Sequence, residues 1–318
     1  MVVSSTAAAL ALMLLSMTCW GSWANTYKLA GNVRFELFYW DYAIGLAVTA
    51  MVLAWYSDGS SLLTELANAS STTLWEAIAA GVVFNLANLL LVAAIALAGL
   101  AVAFPLGIGV ALVVGTALTF LVDRKGSPTF IAMGVVLAVL AIIACATAYK
   151  RQSGGLTVTR KGVLICLVSG ILMACWAPLA AASMRGGPGG LSTLAALAVF
   201  SVGALLSTLP FNLYFMRRPL SGEPVSLRDY GKGGARWHLL GWLGGVIWTV
   251  GTTANLVAGH ATGYAVSYAI GQSAPLVASA WGIFVWREFS PAKGAVVRPL
   301  IAMYVFYTGA ILVLSRAL

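Results

Sequence analysis

The sequence predicts an all-α polytopic membrane protein, with ten transmembrane helices arranged as two inverted five-helix repeats. Three observations carry this prediction. Of the 318 residues, 61% are hydrophobic and 8% are charged, so lipid rather than water is the solvent for most of the chain. The apolar residues fall into runs of about 20, the length a helix needs to cross a hydrocarbon core of roughly 30 Å. Segments of the second half also repeat segments of the first at near-constant spacing.

The spans fall at residues 4–27, 35–56, 74–97, 99–122, 128–149, 162–184, 191–216, 237–258, 262–286 and 298–316. The first opens with "MVVSSTAAALALMLLSMTCWG", which has the apolar run of a signal peptide but neither its basic leader nor its short length, and reads as a retained helix. The second begins at Phe35 and carries an acid, Asp41, among apolar neighbours. Across the third and fourth, "LANLLLVAAIALAGLAVAF" lacks the strict alternation of a barrel strand. The fifth and sixth are joined by "KRQSGGLTVTRK", so residues 1–150 form one repeat, 151–161 a short polar connection and 162–318 the second repeat. Pro105, Pro178, Pro210 and Pro275 lie within the fourth, sixth, seventh and ninth spans, where a missing backbone donor favours kinks.

A shift of 164 positions aligns "AGVVFNLAN" (80–88) with "GGVIWTVGT" (244–252) and "GLAVAFPLG" (99–107) with "GYAVSYAIG" (263–271). A shift of 156 aligns "MTCWGS" (17–22) with "MACWAP" (173–178). Five helices per repeat is an odd number, which forces the second copy to be inverted.

Charge sets the orientation. Bends 28–34, 150–161, 217–236 and 287–298 carry fourteen of the eighteen Lys and Arg residues, and the opposite set carries Arg124, Lys125, Arg185 and Arg316. Positive loops stay in the cytoplasm, which puts both termini outside. The net charge of +9 is therefore a matter of topology, and no nucleic-acid partner is expected.

Polar residues inside spans need a partner or a wet cavity. Asn85 and Asn88 share a helical face in the third span; Trp248, Thr252 and Asn255 share one in the eighth; Tyr264, Tyr268 and Gln272 share one in the ninth. Convergence of the three stripes would build a substrate cavity, whereas each alone could be interhelical glue. Trp20 and Trp23 lie on one face of the first helix, with Trp176 matching Trp20 in the second repeat, and such rings either sandwich a planar ligand or simply pack. His238 and His260, near predicted helix ends, read as interfacial residues.

Asp41 stands about 8–9 Å into its helix, where a carboxylate is either paired or partly protonated. One reading pairs it with Lys28 or Arg34 at the same membrane face. The other makes it a proton-coupling acid, with Glu36 as the second candidate. No H-E-x-x-H, G-x-S-x-G or P-loop motif occurs, and the four cysteines show no metal spacing, so neither enzyme, metal site nor cofactor is expected.

The stretch "CWGSWANTYKLAGNVRFELFYWDYAIG", residues 19–45, resembles the signature of the ureide permease family in the drug/metabolite transporter superfamily. The resemblance implies the drug/metabolite transporter fold, ten helices in inverted repeats, and proton-coupled uptake of nitrogen-rich heterocycles such as allantoin, uracil and other nucleobases or purine breakdown products. A proton gradient would drive transport across the inner or plasma membrane, with the bilayer and a small heterocyclic substrate as partners and a homodimer left open. Plant members carry a long central loop with a P-loop-like motif; the short loop here implies a bacterial homologue without nucleotide regulation. Sugar or multidrug carriage within the superfamily is the alternative, followed by an intramembrane enzyme or a receptor.

Overall fold

A computed structural model describes residues 5–98, 104–152, 159–289 and 293–318. The start of the first and fourth predicted spans, most of the 151–161 connection and part of the last basic bend lie outside the described residues. No strand occurs among those described. Among the described residues, eight helical spans are long and apolar enough to cross a membrane: Thr6–Ala30, Phe35–Ser57, Ser71–Ile95, Leu106–Asp123, Pro128–Gln152, Arg160–Ser183, Thr193–Arg217 and Gly294–Ala317.

The first span is α1 (Thr6–Ser22) and α2 (Ala24–Ala30), interrupted at Trp23, and the Ser5 hydroxyl caps it by accepting from the Ala8 N–H at 3.1 Å. Next come α3 (Phe35–Asp58), a short α4 (Ser60–Asn68), α5 (Ser71–Ala98), α6 (Gly109–Asp123) and α7 (Pro128–Gln152). A π-helical turn, Phe104–Ile108, precedes α6 and includes the backbone of Pro105, whose side chain lies outside what is described. In the second half lie α8 (Arg160–Ser183), α9 (Thr193–Arg217), a five-residue α10 (Leu227–Gly231) and α11 (Ala235–Thr262).

The ninth predicted span is not one helix. It divides into α12 (Tyr264–Gly271) and α13 (Ala274–Ala280), followed by a π-helical turn at Trp281–Val285. The sequence predicts a kink at Pro275 in a continuous helix; instead Pro275 occupies the first turn of α13, where its missing N–H costs nothing. The chain closes with α14 (Lys293–Leu314).

Among the described residues, helix backbones approach most closely at two crossings. At α5 and α9, a Cβ on Gly81 would lie 2.0 Å from the Phe200 carbonyl oxygen, and one on Gly203 2.3 Å from that of Ile78. At α3 and α11, a Cβ on Gly245 would lie 2.2 Å from the Tyr42 carbonyl oxygen, and one on Gly45 2.4 Å from that of Trp242. Glycine is required by this approach: lipid offers helices no hydrophobic gain for associating, so close packing must supply it.

Contacts also sort the loops by end. Lys28 pairs with Glu288, Gln152 donates to the Glu288 carbonyl at 2.8 Å, and Arg34 reaches the carbonyls of Ser221 and Glu223. All four basic bends therefore meet at one end, called here the basic end. At the far end, Arg185 pairs with Glu76 at 2.6 Å and the Tyr264 N–H donates to Asp123 at 2.6 Å.

Candidate functional site

Six aromatic rings from six helices meet in the middle of the bundle: Trp20 of α1, Phe84 of α5, Trp176 of α8, Phe200 of α9, Trp248 of α11 and Tyr268 of α12. Trp248 lies at the centre. Its ring is 4.2 Å from Phe84, 5.9 Å from Phe200 at 13° and 6.4 Å from Trp20 at 15°, the last two being stacked pairs. Trp176 meets Trp20 edge-on at 6.0 Å and Tyr268 at 5.9 Å. Edge and offset geometries of this kind suit the ring quadrupoles.

One polar thread runs through the cluster. The Trp20 indole N–H donates to the Thr252 hydroxyl at 3.1 Å, and that hydroxyl donates to the Trp248 carbonyl at 3.0 Å. The Tyr268 hydroxyl contacts the carbonyls of Met173 and Ala111 at 3.2 and 3.3 Å, and Gln272 reaches the same phenol from the break between α12 and α13. Two buried hydroxyls border this region without a described protein partner, Ser16 one turn before Trp20 and Ser273 beside Gln272, and a third, Tyr42, lies to one side with its ring 4.9 Å from Trp23. An unmet buried hydroxyl costs about 1–3 kcal/mol, which a polar ligand would recover.

The sequence-predicted stripes converge only in part. Trp20, Trp176, Trp248, Thr252 and Tyr268 come together, with Gln272 at their edge. Trp23 stands to one side against Tyr42. Asn85 is engaged elsewhere, donating to Ser207 at 2.8 Å and accepting from Thr208 at 3.3 Å, which ties α5 to α9. Asn88 donates to the Tyr39 hydroxyl at 3.5 Å, and Asn255 exchanges bonds of 2.8 and 2.6 Å with Ser267. Tyr264 sits at the far end, where its hydroxyl approaches the Met184 sulfur. These four side chains bond to neighbouring elements of the bundle. Phe84 and Phe200 escaped the sequence reading because a phenylalanine in an apolar helix carries no local signal.

Asp41 is 4% exposed, and its partners are not those expected. Lys28 is taken by Glu288, and Arg34 by Glu36 at 2.7 Å. Asp41 accepts instead from the Tyr230 hydroxyl at 2.8 Å and lies 2.7 Å from Nδ1 of His238. The reason is topological: the basic bend 217–236 carries α10, which lies over the ends of α3 and α11 and brings Tyr230 onto the carboxylate. A signal for α10 was present. Ser226 and Asp229 form a capping box, with the Ser226 N–H donating to Asp229 at 2.9 Å. Burial, and then the adjoining Asp41 carboxylate, push the Tyr230 phenol above its usual range, so it stays a proton donor.

Comparison with known proteins adds relationships. The family model described as ureide permease matches residues 152–317, just over half the chain, and one described as sugar transport protein matches residues 3–149. Ureide permease 1 of Arabidopsis thaliana is 24% identical over 99% of this chain and 98% of its own length. Ureide permease 5 of the same plant is 30% identical over 35% of this chain and 27% of its own length. A solved crystal structure superposes with a TM-score of 0.68 over 97% of this chain and 96% of that one, at 17% identity, a likeness of fold alone.

Proposed function

The chain belongs to the ureide permease family, and from that premise we propose that it is a proton-coupled secondary transporter importing nitrogen-rich heterocycles such as allantoin, uracil, other nucleobases or purine breakdown products. It is a multi-pass membrane transporter rather than an enzyme. The observation that carries the substrate reading is the ring cluster around Trp248. Its faces suit a flat heterocycle, while Thr252, Gln272 and the unpaired hydroxyls of Ser16 and Ser273 offer donors and acceptors for the alternating N–H and C=O edge of such a ligand. Trp20 and Trp248 are too close to admit a ring between them, since two stacking contacts need about 7 Å. Loading therefore separates α1 from α11.

The full reading has ten helices in two inverted repeats, the basic end in the cytoplasm and both termini outside a cell membrane. The glycine crossings support the duplication. Gly45, Tyr42 and Leu46 correspond to Gly203, Phe200 and Ala204 at an offset of 158, and Gly81, Ile78 and Phe84 to Gly245, Trp242 and Trp248 at 164, with like contacting like in each copy. Under the same exchange, Phe84 with Trp248 and Trp20 with Trp176 become pairs about the axis relating the repeats. The bundle of α11 with the broken α12–α13 supplies the two spans beyond the eight.

A second reading, a sugar carrier, draws on the sugar transport match over the first half. A sugar would call for more hydroxyl and amide partners than this aromatic site provides. Counterflow in liposomes with labelled allantoin, uracil, hypoxanthine, a sugar and a quaternary ammonium dye decides. Exchange of a heterocycle is the expected result; exchange of the sugar or dye alone removes the heterocycle reading.

A further inference from the structure

We propose that His238 carries protons between Asp41 and the solution at the basic end, so that Asp41 and His238 together form the proton-handling unit of the transport cycle. This rests on the proton-coupled reading above. The geometry supplies the reasons. His238 Nδ1 is 2.7 Å from Asp41 Oδ2, and the side chains are 27% and 6% exposed, so the imidazole lies between a buried carboxylate and water. The second carboxylate oxygen is occupied by Tyr230, whose phenol remains protonated and acts as a fixed donor.

Most of the charges around the pair are engaged with partners of their own. At the start of α3, Arg34 and Glu36 bind each other; from α10, Asp229 is held by Lys232 at 3.2 Å; from α11, Arg236 reaches the Leu29 carbonyl at 3.4 Å; in α2, Lys28 pairs with Glu288. The remaining neighbours, Trp237, Phe38 and Gly241, cannot titrate.

The proton balance is simple. Nε2 of the neutral imidazole takes a proton from hydronium in the solution as the Nδ1 proton passes to Oδ2, leaving Asp41 as the acid and the ring neutral. Return of that proton reverses both transfers. The anionic pair thus becomes neutral on loading, which removes the cost of holding a carboxylate away from water while α3 and α11 rearrange.

The test compares wild type, His238→Gln and Asp41→Asn in liposomes, using whichever of labelled uracil or allantoin the wild type exchanges. Accumulation under an imposed pH gradient should fall at least tenfold in His238→Gln, while counterflow at equal pH persists. A His238→Gln protein that accumulates like wild type overturns the proposal. A second readout does not depend on transport. The Trp237 ring is 5.0 Å from His238, close enough for an imidazolium to quench it. The pH-dependent part of the fluorescence should vanish in His238→Gln and be displaced along the pH axis in Asp41→Asn. An unchanged profile in Asp41→Asn would separate the two residues and sink the shared unit. A wild type that never accumulates under the gradient instead overturns the proton-coupled reading beneath it, even where the fluorescence linkage holds.

Discussion

Asp41 and His238 lie 197 positions apart in the chain and 2.7 Å apart in the structure. Their contact, with Tyr230 above them, joins α3, α10 and α11 at the basic end and gives an otherwise costly acid its place in the bundle.

Removing one partner tests how firmly the acid is held. His238→Ala leaves Asp41 with Tyr230 alone and should lower stability by about 1–3 kcal/mol. Thermal unfolding in detergent at neutral pH measures it. In a double-mutant cycle with Tyr230→Phe, the two changes should couple by about 0.5–3 kcal/mol, and additive losses would mean that the contacts are independent.

The α10 cap should resist acid. Hydrogen bonds from Ser226 hold the Asp229 carboxyl down to about 2. A folded value below the unfolded one means that its contribution is present above the ordinary carboxylate range and is lost only as pH falls through about 2. Proteolysis of the 218–234 loop should therefore run at the same rate at pH 5 and pH 7 in the wild type. In Asp229→Ala, where the cap is gone, cleavage should be faster at both.

Thr252 and Asn85 should separate binding from packing. Thr252→Val removes the acceptor of the Trp20 indole N–H and should weaken binding of the transported substrate by about 1–3 kcal/mol. Gln272→Ala should do the same. Asn85→Ala breaks bonds between α5 and α9, so its cost should appear in the melting temperature and not in affinity. Affinity loss in Asn85→Ala alone would move the site toward the third span.

The glycines at both crossings should be intolerant of larger side chains. Gly81→Ala and Gly245→Ala each drive a methyl into a facing carbonyl, and overpacking of this kind costs about 1–3 kcal/mol. Similar losses in the two variants are expected, because each glycine meets the same kind of backbone surface. A silent Gly245→Ala would show that α11 can step back from α3.

By itself the sequence determined the solvent of this protein, the positions of the apolar runs and which bends share an end. Those are local, additive quantities: hydropathy summed over about 20 residues, and the count of Lys and Arg in each bend. It also marked Trp20, Trp176, Trp248, Thr252 and Tyr268, because polar or aromatic stripes at helical spacing stand out against aliphatic neighbours. The tertiary structure decided the rest. Which asparagines bind neighbouring helices, where the first and ninth spans break, and that Asp41 meets His238 rather than Lys28 or Arg34 depend on how helices cross. In lipid those crossings are set by close-packed glycines and by hydrogen bonds between residues far apart in the chain, and neither leaves a trace in the periodicity of any one helix.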